Sequence, residues 1–288
     1  MKTYGLDVGT SHNALVELDG NTLRAIPILA SLPTGLANAS SWASATWANH
    51  SKAIAAEIVN RSLFPIGIDA ALSLAKAGDA RPWETVARGF HTPSSLSPLP
   101  QSGSAQQRGW WILARLWSGV LGDLARSYGA RLWDGWKLSS SQEVPLIVEV
   151  YPRMSWIALS AAIPNAVTTS YGAASTKQGI LAGLGLAWGS PKKNDHHRDA
   201  AVCAATVQSV LNGSAGFLGE PVVVGTPCRG GGIAIPWVLP PPGSGSRAEL
   251  GSLAGDPERN ARPKPEAEEG PQAPETNANR GRGRKGAE

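Results

Sequence analysis

Short segments of apolar or alternating apolar and polar residues predict five main strands along this chain. The predicted strands lie at residues 4–8, 14–18, 22–28, 65–69 and 146–150. Asp19-Gly20, between the second and third strands, is a typical two-residue hairpin turn, so we expect the first three strands to form an antiparallel meander. The fourth and fifth strands are short apolar runs, which is typical of strands buried within a sheet.

Apolar residues at helical spacing fill the segments between and after these strands. Helices are predicted at 50–60, from about 106 to 127, and from about 195 to 211, with Gly213 as the last stop signal. A small strand pair is predicted at 222–224 and 233–235. Strands that alternate with helices in this way indicate an α/β fold with helices packed on the sheet.

The character of the chain changes just after Trp237. Pro, Gly and Ser dominate 240–246, and the residues that follow are polar, with no aromatic side chain and only two leucines. Such a segment cannot bury enough apolar surface to offset the entropy of ordering it. We therefore predict one domain at 1–237 and a disordered tail at 238–288.

Bulk composition is that of an ordinary globular protein. Hydrophobic residues make up 42% of the chain and charged residues 17%, which allows a substantial core. Two long stretches lack charged residues, but prolines and polar clusters interrupt them, so no membrane span is predicted. Asp7 lies where an export signal needs apolar residues. We therefore expect a soluble, cytoplasmic protein with no membrane partner, in which Cys203 and Cys228 are reduced.

The net charge of +4 belongs to the predicted domain and not to the tail. From Arg247 onward, eight basic and eight acidic residues balance, so the excess positive charge lies in the preceding residues. This excess permits a polyanionic partner such as a nucleic acid without requiring one.

Four carboxylates stand within or at the ends of predicted elements. Asp7 lies in the first strand, Asp69 ends the fourth, Glu149 interrupts the fifth, and Asp199 opens the last helix. A charge in an apolar strand is costly unless it is paired or coordinated. A shared Mg²⁺ or Mn²⁺ would stabilise several together, because these ions prefer hard oxygen ligands. Any one of these carboxylates is explained more simply as a helix cap or a salt-bridge partner. The metal-site hypothesis therefore depends on the four carboxylates taken together.

The start of the last predicted helix carries further polar side chains. Asp195 and Asp199 flank His196, His197 and Arg198. The two histidines are adjacent, so on a helix they point about 100° apart and cannot both face one ion. One of them is a candidate ligand or proton carrier, and a solvated helix N-terminus is the simpler alternative.

Several short motifs occur in one order that resembles a known family. They are Gly5-Leu6-Asp7-Val8-Gly9, Ile68-Asp69-Ala70-Ala71-Leu72, the segment from Arg81 through Glu84 to Arg88-Gly89, Val148-Glu149-Val150-Tyr151-Pro152, Asp195-x-x-x-Asp199-Ala200, and Gly231-Gly232-Ile233-Ala234-Ile235-Pro236. The series resembles the domain of unknown function 429 family, described as predicted nucleases of ribonuclease H-like fold. The resemblance covers about residues 1–237. The chain departs from the family pattern at Ala71, where a proline is usual, and at Glu84, where an aspartate is expected.

The resemblance implies a ribonuclease H-like fold with a five-stranded mixed sheet, three antiparallel strands followed by two parallel ones, flanked by helices. The first and fourth strands would then be neighbours, with Asp7 beside Asp69. The implied metal ligands for Mg²⁺ or Mn²⁺ are Asp7, Asp69, Glu149, Asp195 and Asp199, of which all except Asp195 are also the implied catalytic residues. The candidate substrate contacts are Arg81, Arg88, Tyr151, Lys177, His196 and His197. On this hypothesis the protein hydrolyses phosphodiester bonds in DNA or RNA.

Two other functions stay open from the sequence. The segment from Gly5 to Ser11 is also similar to the first phosphate loop of the sugar kinases and actin-like ATPases, in which turn amides bind phosphate. That architecture duplicates its core and needs a second Asp-x-Gly loop, which this sequence lacks. The other alternative is a non-catalytic nucleic-acid-binding module that keeps a degenerate site.

Overall fold

The chain folds into strands and helices in the alternating order expected of an α/β protein. The computed structural model describes residues 1–34, 36–73, 105–135, 138, 144–162, 174–189, 194–223 and 229–236. The strands are β1 Lys2–Val8, β2 Asn13–Asp19, β3 Thr22–Ile26, β4 Ile66–Asp69, β5 Arg131–Leu132, β6 Leu146–Glu149, β7 Ala187–Trp188, β8 Ala215–Val223 and β9 Arg229–Pro236. The helices are α1 Ser44–Asn60, α2 Ala105–Tyr128, α3 Pro152–Ala162, α4 Ala174–Gly183 and α5 Asp195–Leu211, and a 3-10 helix lies at Leu36–Ser41.

Most of the strands form one mixed sheet in the order β5-β6-β4-β1-β2-β3-β7. Successive strands of the β1-β2-β3 meander are antiparallel, whereas β4 pairs in parallel with both β1 and β6. The expected ribonuclease H-like arrangement is therefore confirmed, with the first and fourth strands side by side. The expected count of five strands is wrong, because β5 and β7 extend the two edges. Each of these strands has only two residues, too few for an alternating pattern to reveal it.

Two boundaries differ from the sequence-based prediction. Helix α1 begins at Ser44, well before the predicted start at residue 50, and its N-cap residue, Ala43, makes no side-chain capping bond. Without a capping residue the sequence carries no start signal there. Strand β8 begins at Ala215 and pairs antiparallel with β9, so the hairpin is longer than the predicted pair at 222–224 and 233–235.

Helices cover both faces of the sheet, as the alternation within β1 requires. Tyr4, Leu6 and Val8 point to one face, where they pack with apolar side chains of α1 and α2. The other face is covered mainly by α5, with α3 and α4 beside it. Because successive side chains of a strand point to opposite faces, the residues between these three belong to the α5 face.

Helix α5 lies directly against β1 and β4 because glycines face it there. Gly5 and Gly67 are paired across these parallel strands. A Cβ on Gly5 would overlap the backbone carbonyl oxygen of Ala200, and one on Gly67 would lie 2.6 Å from the carbonyl oxygen of Cys203. This close contact places the first turns of α5 over the carboxyl ends of the two strands.

Several predictions fall outside the part of the chain that the structure describes. These are the tail at 238–288, the boundary at Trp237, and the oxidation state of Cys228. Cys203 is buried in α5 and forms no disulfide. Among the described helices, none has the length and apolar character needed to cross a bilayer.

Candidate functional site

Two carboxylates meet at the carboxyl ends of β1 and β4. Asp7 and Asp69 are paired in register on these parallel strands, so both side chains leave the sheet on the α5 face. The two carboxyl groups share a hydrogen bond, and the Asp7 side chain is only 8% exposed. Burial raises the pKa of Asp69 well above its usual range, and the charges of Asp7 and Asp199 raise it further. The pair therefore holds a proton to a higher pH than separate carboxyl groups would.

Two stacked imidazoles lie beside Asp7. His196 Nδ1, on α5, is 2.7 Å from Asp7 Oδ2, and the ring nitrogen donates because an ionised carboxylate can only accept. Burial raises the pKa of Asp7, while this hydrogen bond from His196 opposes the rise. The ring of His12, in the β1–β2 turn, stacks on that of His196 with centroids 5.2 Å apart. The sequence left open which of the two adjacent histidines of α5 faces the site. The structure shows that His196 is the one that contacts Asp7.

Asp199 is bound by donors from two other helices. Lys177 Nζ, on α4, lies 2.8 and 3.1 Å from its two oxygens, and Trp156 Nε1, on α3, donates to Oδ1 at 2.7 Å. The Lys177 side chain is only 8% exposed, and its Nζ is also 3.9 Å from an oxygen of Asp195. Lys177 is thus a buried partner of the carboxylates and does not lie on an open surface, where a phosphate contact would be expected.

Glu149 lies near Asp69, but its carboxylate binds the loop that follows β4. It is paired with Ile68, so its side chain starts from the sheet face opposite to that of Asp69. Glu149 is 2% exposed, and its carboxylate accepts a hydrogen bond from the backbone N–H of Leu72 at 3.1 Å. Its charge contributes to the raised pKa of Asp69. Glu149 therefore fastens the chain immediately after Asp69.

The other polar residues at the start of α5 form the cap of the helix and an ion pair. The Asn194 side chain accepts hydrogen bonds from the backbone N–H of His197 at 3.0 Å and from its ring Nδ1 at 2.6 Å. Asp195 is half-exposed and lies 3.2 Å from Arg198. His197 is thus engaged at the helix cap, whereas its neighbour His196 faces the carboxylate pair.

The remaining candidates are not placed at the carboxylate pair. Tyr151 is partly buried and packs in a small apolar cluster with Met154 and Ile233. Arg81 and Arg88 lie outside the described residues, so their predicted substrate contacts are not tested.

A repeated glycine–aspartate pattern is a further sequence signal for this site. Gly5-Leu6-Asp7 and Gly67-Ile68-Asp69 repeat the pattern Gly-x-Asp on two strands. Residues two apart share a sheet face, so each glycine accommodates the helix that covers its own aspartate. His12 and Trp156 carried no comparable signal, because each acts through a contact between distant parts of the chain.

The donor chemistry of Asp7 and Asp69 suits a hard divalent cation. The charge of Asp7 raises the pKa of Asp69, and Mg²⁺ or Mn²⁺ bound by both carboxylates would relieve this repulsion. Asp199 and Glu149 are bound by donors of the protein itself. Across the described ranges, no group of three or more His, Cys, Asp or Glu side chains is arranged to hold a metal ion. Asp7 and Asp69 are therefore the residues that best fit an ion.

Comparisons with known proteins contribute little beyond this geometry. No protein-family model and no curated protein matches the chain. A solved structure of T. thermophilus RuvC in complex with a Holliday junction substrate is similar at a TM-score of 0.30 and 17% sequence identity, over 71% of this chain and 90% of that chain. Similarity at this level carries no argument, so the fold assignment rests on the strand order and register described above.

Proposed function

We propose that this protein is a metal-dependent nuclease that hydrolyses nucleic-acid phosphodiester bonds at the Asp7–Asp69 pair. The observation that carries this proposal is the register of the two aspartates, which brings two buried carboxyl groups together at the carboxyl ends of parallel strands. Ligand sites of α/β sheets commonly lie at such strand ends. Membership of the domain of unknown function 429 family, which we also propose, supports the same activity.

The residues of the site have distinct roles in this proposal. Asp7 and Asp69 would hold Mg²⁺ or Mn²⁺, which would activate a water molecule and stabilise charge on the leaving oxygen. His196 donates to Asp7 through Nδ1 and so fixes the orientation of that carboxylate, and it is the proposed proton carrier of the site. Lys177 and Trp156 hold Asp199 beside the pair.

The proposed substrate is DNA or RNA. The positive charge excess lies in residues that precede Arg247, which favours a polyanionic partner. Arg81 and Arg88 remain the proposed phosphate contacts.

No observation favours the kinase-like alternative. The described residues contain a single copy of the β1-β2-β3-β4 core, whereas the sugar kinase architecture needs two. A non-catalytic binding module is distinguished from the nuclease only by activity.

The proposal is tested by incubating the full chain with labelled single-stranded, duplex and branched DNA and RNA in Mg²⁺ or Mn²⁺. Asp7→Asn keeps the shape of the side chain but removes a ligand charge, so we expect cleavage to fall by about a hundredfold or more. Asp19→Asn is the matched control, because Asp19 is paired with Lys2 at the opposite end of β1 and is 42% exposed. A wild type that cuts nothing in this panel, or an Asp7→Asn variant that cuts as well, overturns the nuclease and leaves the binding module.

A further inference from the structure

The buried ammonium of Lys177 is a positive charge placed against the carboxylates of Asp199 and Asp195, beside the Asp7–Asp69 pair. We infer that the site takes one divalent ion per chain, and that Lys177 supplies the positive charge that a second ion would otherwise bring. This inference rests on the proposed function and concerns how many ions the same site binds.

The contacts of Asp199 leave no oxygen of this carboxylate without a donor. Lys177 Nζ contacts both oxygens, at 2.8 and 3.1 Å, and Trp156 Nε1 donates to one of them at 2.7 Å. An ion bound by Asp199 would compete with these donors for the same carboxylate oxygens. The displaced ammonium would then keep only the more distant Asp195, 3.9 Å from its Nζ, which is unfavourable because the Lys177 side chain is only 8% exposed.

The charges of Asp7, Asp69 and Asp199 are matched by one divalent ion together with Lys177. Asp7, Asp69 and Asp199 act on each other electrostatically, since the charge of Asp199 disfavours ionisation of both other groups. Ionised together they carry three negative charges, which one divalent cation and one ammonium neutralise. A second divalent ion at Asp199 would lie close to the ammonium of Lys177, and the repulsion between the two cations would weaken its binding.

The ammonium of Lys177 is also held in a fixed position, which it needs if it is to replace a bound metal ion. Helix α4 supplies Lys177, and the indole ring of Trp156 lies 5.8 Å from its Nζ. The ammonium is therefore held by contacts with both an aromatic ring and a carboxylate.

The test is a count of bound Mn²⁺ on the full chain, with free Mn²⁺ followed by electron paramagnetic resonance. We expect one Mn²⁺ per chain in the wild type and two in Lys177→Met, which removes the charge and keeps an unbranched side chain that is one atom shorter. Lys177→Arg restores a cation and should bind one. Circular dichroism confirms that each variant is folded. If Lys177→Met does not fold, Asp199→Asn replaces it and should still bind one.

Each outcome separates this inference from the proposed function. Two ions in the wild type, one ion in a folded Lys177→Met, or complete loss of the ion in Asp199→Asn would each overturn the inference and leave the proposed nuclease standing. No bound Mn²⁺ in the wild type would overturn both.

Discussion

Asp7 and Asp69 occupy the same register position on two parallel strands, two residues after the paired glycines Gly5 and Gly67. The glycines let α5 contact the sheet, and the aspartates lie where the first turns of that helix cross the strand ends. The packing of α5 and the geometry of the site therefore depend on the same two strands. A substitution that alters β1 or β4 at these positions should therefore change both the packing of α5 and the geometry of the site.

Removing one carboxyl charge from the pair should stabilise the protein when no divalent ion is present. The pKa of Asp69 is raised in the folded state, so its contribution to stability is complete below the unfolded value of about 3.9. That contribution is lost as the pH rises through the folded pKa. Asp69→Asn should therefore be more stable than the wild type at pH 8 when no divalent ion is present.

Urea denaturation in chelator between pH 4 and pH 8 measures this effect. The free energy of unfolding of the wild type should fall with rising pH relative to that of Asp69→Asn, whose amide still donates to Asp7. Asp19→Asn, at an exposed strand end, serves as the control. If Asp69→Asn is the less stable protein at pH 8, the two carboxyl groups do not repel each other as described.

Filling the space at Gly5 should separate α5 from the sheet. A methyl group there overlaps the backbone of Ala200, which cannot move without shifting the helix. We expect Gly5→Ala to lower the free energy of unfolding by about 3 kcal/mol or more, at or above the upper end of the range for overpacked cores. Gly179→Ala is the matched control, because Gly179 is exposed on α4 with no atom within 4 Å of the added carbon. It should be neutral or slightly stabilising. Equal stability of the two variants would show that α5 does not need the glycine.

Much of the fold follows from the sequence because it is encoded in local patterns. The meander and the long helix α5 each contain enough residues for their spacing to be recognised, and β4 and β6 are recognisable as short apolar runs. The edge strands β5 and β7 are not, since each is defined only by its pairing with a neighbour. The uncapped start of α1 was missed for a related reason, because no side chain marks it.

The candidate site was predictable in part. The pairing of Asp7 with Asp69 followed from the family resemblance and is confirmed by the register. The burial of Lys177 against Asp199 and the stacking of His12 on His196 depend on contacts between distant segments, which periodicity cannot show.

The two adjacent histidines of α5 should respond differently to substitution. His196 contacts Asp7, whereas His197 contacts the helix cap at Asn194. We expect His196→Gln to lower the rate of cleavage by about 10²-fold or more, in the range for loss of a group that moves or orients a proton. His197→Gln should change the rate no more than a few-fold. Single-turnover cleavage with Mn²⁺ measures both, and equal losses would argue against a specific role for His196.

Glu149 should act through the loop that follows β4. Its carboxylate accepts from the buried N–H of Leu72, and a glutamine can still provide an acceptor oxygen there. Glu149→Ala leaves that N–H without this partner and should cost about 1–3 kcal/mol of stability, whereas Glu149→Gln should cost less. Thermal unfolding compares the two. A Mn²⁺ affinity that drops tenfold or more in a stable Glu149→Gln would instead identify Glu149 as a metal ligand.

The central claim is that Asp7 and Asp69 hold a divalent cation, and a crystal structure of the full chain soaked in Mn²⁺ tests it most directly. The anomalous signal of Mn²⁺ should appear between the two carboxylates, with one oxygen of each at about 2.1 Å. Asp19→Asn crystals should show the same peak, and Asp7→Asn crystals should not. If the wild type at saturating Mn²⁺ shows no peak there, and Asp7 and Asp69 still share their hydrogen bond, the metal site and the nuclease activity proposed for it are contradicted.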